Sequence, residues 1–134
     1  MAITDNKAIG GSHYKSDIEP IDLIEQLGLT FHEGNVVKYV TRYTRKNGRE
    51  DLEKAIWYVK RMIDNWRGPD HIGTFTDPLA LETALEAYLK ANRLQTTSME
   101  AYVINMVCNS SERHGKVGLL KAGCSLKNLI KTYE

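Results

Sequence analysis

The sequence predicts an all-α protein, a small helical bundle made of two tandem, diverged helical repeats. Three observations carry that expectation. Apolar residues recur at helical spacing in segment after segment bounded by Gly or Pro. Two capping-box patterns, Thr30 to Glu33 and Thr97 to Glu100, open such segments 67 residues apart in a chain of 134. No segment alternates apolar and polar residues as a half-buried strand does.

Residues 1–16 lack periodicity and read as an arm or loop. Helix one is expected at about 18–27, where Pro20 fits a first turn and Gly28 a stop. Helix two is expected at about 31–46, from the Thr30 cap to Asn47-Gly48. Helix three, about 49–66, places Leu52, Ala55, Ile56, Val59, Met62 and Ile63 at helical spacing before Arg67-Gly68-Pro69 ends it. Helix four, about 78–92, has Asp77 as cap and Pro78 in its first position. Helix five, about 98–109, follows the Thr97–Glu100 box. Residues 116–133 close the chain as two short helices or one kinked at Gly123.

Shifting the chain by 67 residues aligns it with itself without a gap. Thr30, Glu33, Val36, Val40, Gly48, Leu52, Lys54, Ala55, Lys60 and Ile63 meet the same residue types, ten identities across the 34 positions 30–63. The matches are mostly caps, turns and apolar positions. Lys38, Tyr39, Arg42, Trp57 and Tyr58 instead meet Asn105, Met106, Asn109, Cys124 and Ser125. Packing demands are kept while side-chain chemistry is not. Residues 1–67 are therefore read as the repeat carrying a polar site, and 68–134 as a degenerate scaffolding repeat packed on it.

Composition narrows the function classes. Eighteen Lys and Arg against seventeen Asp and Glu give a net charge of +1, so nucleic acid is a disfavoured partner. No run approaches the ~20 apolar residues of a membrane span, and the N-terminus lacks the apolar core of a signal peptide. Two cysteines outside any CxxC propose no metal site. No Walker-type phosphate loop, GxSxG or HExxH is present. The carboxylates Glu50, Asp51 and Glu53 are too sparse for a metal-dependent helical pyrophosphatase.

Polar chemistry gathers in the first half. Asn35, Lys38, Arg42 and Lys46 recur at spacings of three and four, which puts them on one helix face. Arginine grips phosphate with a planar fork and lysine adds a point charge. Ser12, His13 and Tyr14 precede the helices; the histidine can donate to a phosphate and the tyrosine can stack on a base. Asp51 and Lys54 read either as a surface ion pair or as an aspartate that orients Lys54 or Arg42. Trp57 and Tyr58, being adjacent, point to different sides of helix three, and at least one is expected in the core.

The sequence SHYK…IEPIDLIEQLGL…GNVVKYVTRYTRKNGREDLEKAIWYVKRMI closely resembles the SaV-like phage domain family over about residues 11–66. The family has a member that determines sensitivity to an abortive-infection system. Another is a nucleotide kinase without a P-loop, which passes phosphate from dGTP or dTTP to dTMP or dGMP without metal and forms a large oligomer. The resemblance implies a phage-encoded protein acting in the host cytoplasm. Its motif falls on Ser12, His13, Tyr14, Gly34, Asn35, Lys38, Tyr39, Arg42, Lys46, Asp51, Leu52, Lys54, Ala55 and Tyr58.

The leading expectation is a nucleotide-binding protein, a metal-independent nucleoside monophosphate kinase. Lys38, Arg42 and His13 are its catalytic candidates, and Ser12, Tyr14, Asn35, Tyr39, Lys46, Asp51 and Lys54 its nucleotide-binding ones. A base is expected to stack on Tyr14 or Tyr39. No cofactor or metal is expected. The partners are nucleotides and further copies of the chain in a homo-oligomer, with a host defence protein as another candidate. The alternatives are a non-catalytic nucleotide or signalling-nucleotide binder that blunts host defence, and a host-protein or nucleic-acid adaptor.

Overall fold

A computed structural model describes residues 16–66, 78–109 and 115–133. Those residues form α-helices and, among them, no strand: α1 Pro20–Leu27, α2 Phe31–Arg42, α3 Arg49–Asp64, α4 Pro78–Ala91, α5 Met99–Cys108 and α6 Gly115–Lys131. The all-α architecture is as the sequence predicts. The final segment is one helix rather than two, because Gly123 does not break it; a Cβ built there would lie 3.7 Å from Val59 Cγ1, so the glycine lies close against α3. The proposed Asp77 cap lies outside the described residues.

Local chemistry sets the helix ends. Gly28, at φ 65°, takes the left-handed conformation that closes α1. At α2 the capping box forms: Thr30 Oγ1 accepts from the Glu33 amide at 3.2 Å, and Glu33 Oε1 accepts from the Thr30 amide at 2.8 Å. The α2 helix stops at Arg42, four residues short of the expected end. The Gly48 amide, with φ 54°, donates to the Tyr43 carbonyl at 2.9 Å and turns the chain into α3. The second box does not form as predicted. Ser98, not Thr97, caps α5, its Oγ accepting from the Ala101 amide at 3.0 Å. Glu100 instead accepts a hydrogen bond from the Tyr43 hydroxyl at the end of α2.

Packing follows from the apolar stripes. The α2–α3 and α5–α6 pairs are hairpins, and they meet through α2 against α5 and α3 against α6; α1 packs on α2 and on α4. Val36, Val37, Val40, Leu52, Val59, Val103, Ile104, Val107, Leu119 and Leu126 are fully buried between them. One polar thread crosses this core. Thr41 Oγ1 donates to the Val37 carbonyl at 2.7 Å and lies 2.7 Å from the Tyr88 hydroxyl. A hydroxyl has one proton to give, so Tyr88 is the donor to Thr41. Further out, Asn92 Nδ2 donates to the Ile18 carbonyl at 2.9 Å, and Ser16 Oγ, 2.8 Å from that same carbonyl, lies 3.2 Å from the Ala91 carbonyl. These bonds pin the approach to α1 onto the end of α4.

Candidate functional site

The antiparallel α2–α3 hairpin brings residues 54–58 alongside 31–42. Tyr39 becomes the centre of a cationic cluster: Lys38 Nζ lies 4.6 Å, Arg42 Cζ 4.9 Å and Lys54 Nζ 5.5 Å from its ring centroid. The Tyr58 ring stacks beside it at 6.3 Å between centroids and an 18° interplanar angle. Phe31 and His32 meet Tyr58 at 5.9 and 5.5 Å, and Trp57 meets it edge-on at 5.0 Å. Phe31 is 72% and Trp57 54% exposed. The result is an aromatic ledge with a cationic end. Nδ1 of His32 is buried there without a hydrogen-bond partner.

Two carboxylates answer the three cations. Asp51 is fully buried and bonds Arg42 in a fork: Arg42 Nε to Oδ2 and Nη2 to Oδ1, each at 3.2 Å. Asp51 Oδ2 also accepts from the Asn47 amide at 3.2 Å. Lys54 pairs with Glu50 at 3.1 Å, one turn earlier. That hydrogen bond raises the Lys54 pKa above the usual lysine value, so the ammonium stays charged. Lys38 has no ion pair among the described residues and is the cation left over.

Several expectations change here. Of the two readings of Asp51, the surface pair with Lys54 is not formed and the orienting one is: Asp51 is buried against Arg42, while Lys54 takes Glu50. Lys46 leaves the face of Asn35, Lys38 and Arg42, because α2 ends before it and it lies exposed in the following turn. Asn35 is half-buried and its Nδ2 donates to the Phe31 carbonyl of its own helix at 2.8 Å. Tyr39 offers little free face for a base, being occupied by Tyr58 and three cations. Trp57 is exposed, while Tyr58 is half-buried and packs against the core from its edge. Ser12, His13 and Tyr14 lie outside the described residues.

In the sequence Phe31 and His32 sit inside the Thr30–Glu33 capping box, and no local pattern joins them to Trp57 and Tyr58. The signal was available: in an antiparallel hairpin the start of one helix lies beside the end of the other, which pairs positions 31–32 with 57–58.

Fold and site together define an all-helical protein whose leading hairpin presents an aromatic–cationic surface. Residues 6–60 match the family model described as a protein of unknown function, DUF3310. The match spans α1, α2 and most of α3, and takes in every candidate site residue from Ser12 to Lys54. No curated protein and no solved structure matches the chain.

Proposed function

We propose that the α2–α3 hairpin binds a nucleotide through its phosphates and base, and that the protein is a metal-independent nucleoside monophosphate kinase. The observation that carries the reading is the gathering of Lys38, Arg42 and Lys54 within 5.5 Å of one tyrosine ring, beside the exposed rings of Phe31 and Trp57. Three cations against two carboxylates leave a positive excess suited to phosphate, and exposed aromatic faces suit a base. In this reading Lys38 meets the phosphate directly. Arg42 is held in place by Asp51 and presents its remaining N–H groups. His13 assists with phosphate positioning, and the base lies on Trp57 or Phe31.

The transferred step is a phosphoryl exchange. The bond between the β-oxygen and γ-phosphorus of a nucleoside triphosphate breaks, and a monophosphate oxygen takes the phosphorus, leaving two diphosphates. Lys38 and Arg42 offset the charge that a metal neutralises in other kinases. The protein acts, in this reading, in the cytoplasm of a phage-infected host and as a homo-oligomer. The two halves are taken as a duplicated unit, since the contacts between them join helices that the 67-residue offset superimposes, α2 with α5 and α3 with α6.

Incubation of the purified protein with dTMP and γ-labelled dGTP in excess chelator tests the reading. Labelled dTDP supports the kinase. Binding without transfer supports the second reading, non-catalytic capture, which is favoured by the commitment of Arg42 to Asp51. Binding of neither nucleotide sinks both.

A further inference from the structure

The second half carries a groove that the nucleotide reading does not use. It encloses about 580 Å³ between α4 and α5, because α4 packs against α1 rather than closing onto α5. Leu81, Leu85 and Leu89 of α4 give it an apolar wall. Glu82 and Glu86, one turn apart on the same helix, give it two carboxylates, and neither makes an ion pair among the described residues. No Lys, Arg or His among the described residues lines it.

Asn109 supplies the independent sign of a ligand. It lines the groove and is 3% exposed. Its Nδ2 is engaged twice by Asn105, 2.9 Å from the carbonyl and 2.6 Å from Oδ1, which fixes the orientation of the amide. Oδ1 is then the atom left over, buried and without a donor. Buried acceptors are nearly always satisfied, so this one asks for an N–H or O–H from outside the described residues.

We propose that the α4–α5 groove is a binding site for a linear aliphatic amine of the diamine or polyamine class. The ammonium groups answer Glu82 and Glu86, an N–H answers Asn109 Oδ1, and the methylenes lie along the leucines. The acceptors are strung along a groove that follows α5 from Ser98 to Asn109, roughly 16 Å of helix, which suits an extended chain with several charges. The two carboxylates disfavour a phosphate, and no three metal-ligating side chains gather among the described residues. The α5 wall also has a counterpart. Tyr102, Asn105 and Asn109 stand 67 positions after Asn35, Lys38 and Arg42. The same helical line thus presents cations in one half and amides opposite acids in the other. The amine site stands whether or not the first half binds nucleotides.

Spermidine titrated into the full-length ¹⁵N-labelled protein at roughly 0.15 M salt tests this. The side-chain amides of Asn105 and Asn109 are expected to shift saturably. Glu82→Gln/Glu86→Gln is expected to weaken binding about tenfold or more without changing the melting temperature, since both residues are exposed. Shifts absent up to about 10 mM spermidine, or unchanged affinity in the double variant, would overturn the site. Asn109→Ala is the secondary variant, because loss of a buried amide also perturbs the end of α5.

Discussion

Asp51, without any exposed surface, holds Arg42 by both carboxylate oxygens at 3.2 Å, so the arginine is a strut between α2 and α3 as well as a candidate site residue. This separates it from Lys38, which shares its helix face but has no carboxylate partner among the described residues. Lys38→Ala is expected to weaken nucleotide binding roughly 10- to 150-fold, the value of one charged hydrogen bond, with stability changed by less than about 0.5 kcal/mol. Arg42→Ala leaves Asp51 buried with only Asn47 as partner and is expected to cost about 3 kcal/mol. Calorimetric titration alongside denaturant melts distinguishes the two; equal stability loss in both variants would refute the division of roles.

Trp57 is expected to matter to binding and not to folding. Its ring is 54% exposed and touches Arg61 at 5.3 Å and Tyr58 edge-on. Base stacking contributes about 1–3 kcal/mol, so Trp57→Ala should lower nucleotide affinity roughly 5- to 150-fold at unchanged melting temperature. Full affinity in this variant would remove the ledge from the site.

The Tyr43–Glu100 hydrogen bond links the two halves and makes their stability depend on alkaline pH. Burial, and then the Glu100 carboxylate, push the Tyr43 hydroxyl well above its ordinary pKa of 10.0. The folded protein therefore holds this proton more tightly than the unfolded chain. Its stabilisation is whole below pH 10 and is lost as pH climbs above it toward the raised value. Tyr43→Phe is expected to cost about 1.5–3 kcal/mol at neutral pH. The gap between wild type and variant should narrow as pH rises above 10.0. A gap that is constant across that range would contradict this role.

The cap of α5 can be checked by paired variants. Ser98→Ala removes the hydroxyl that the Ala101 amide donates to and is expected to destabilise by about 1 kcal/mol. Thr97→Ala, one residue earlier, should be close to neutral. Chemical denaturation of the two variants reads the difference, and the reverse order would restore the Thr97–Glu100 box.

What was legible in the sequence was what neighbouring residues decide. The Thr30–Glu33 box, Pro20, Gly28 and the apolar spacing of 52–63 located helices and their ends to within a few residues. What escaped was decided across the fold. Thr97 and Ser98 are both good caps, and nothing local says that Glu100 will be taken by Tyr43 instead of turning back to its own helix. Asp51 sits in the charged run Arg49-Glu50-Asp51 and looks solvated; only the packing of α3 on α2 buries it. The Lys38–Arg42 pair was visible as helical spacing, whereas the ledge around Tyr58 needed the hairpin register.

Thr41 and Tyr88 have a consequence beyond their own bond. Their hydroxyls are 2.7 Å apart in the core, and Thr41 passes its own proton to Val37. A valine at 41 takes away the oxygen that meets the phenol, whereas a phenylalanine at 88 leaves the threonine satisfied by its own helix. The pair is therefore unequal: position 88 can lose its oxygen without leaving the Thr41 hydroxyl unbonded.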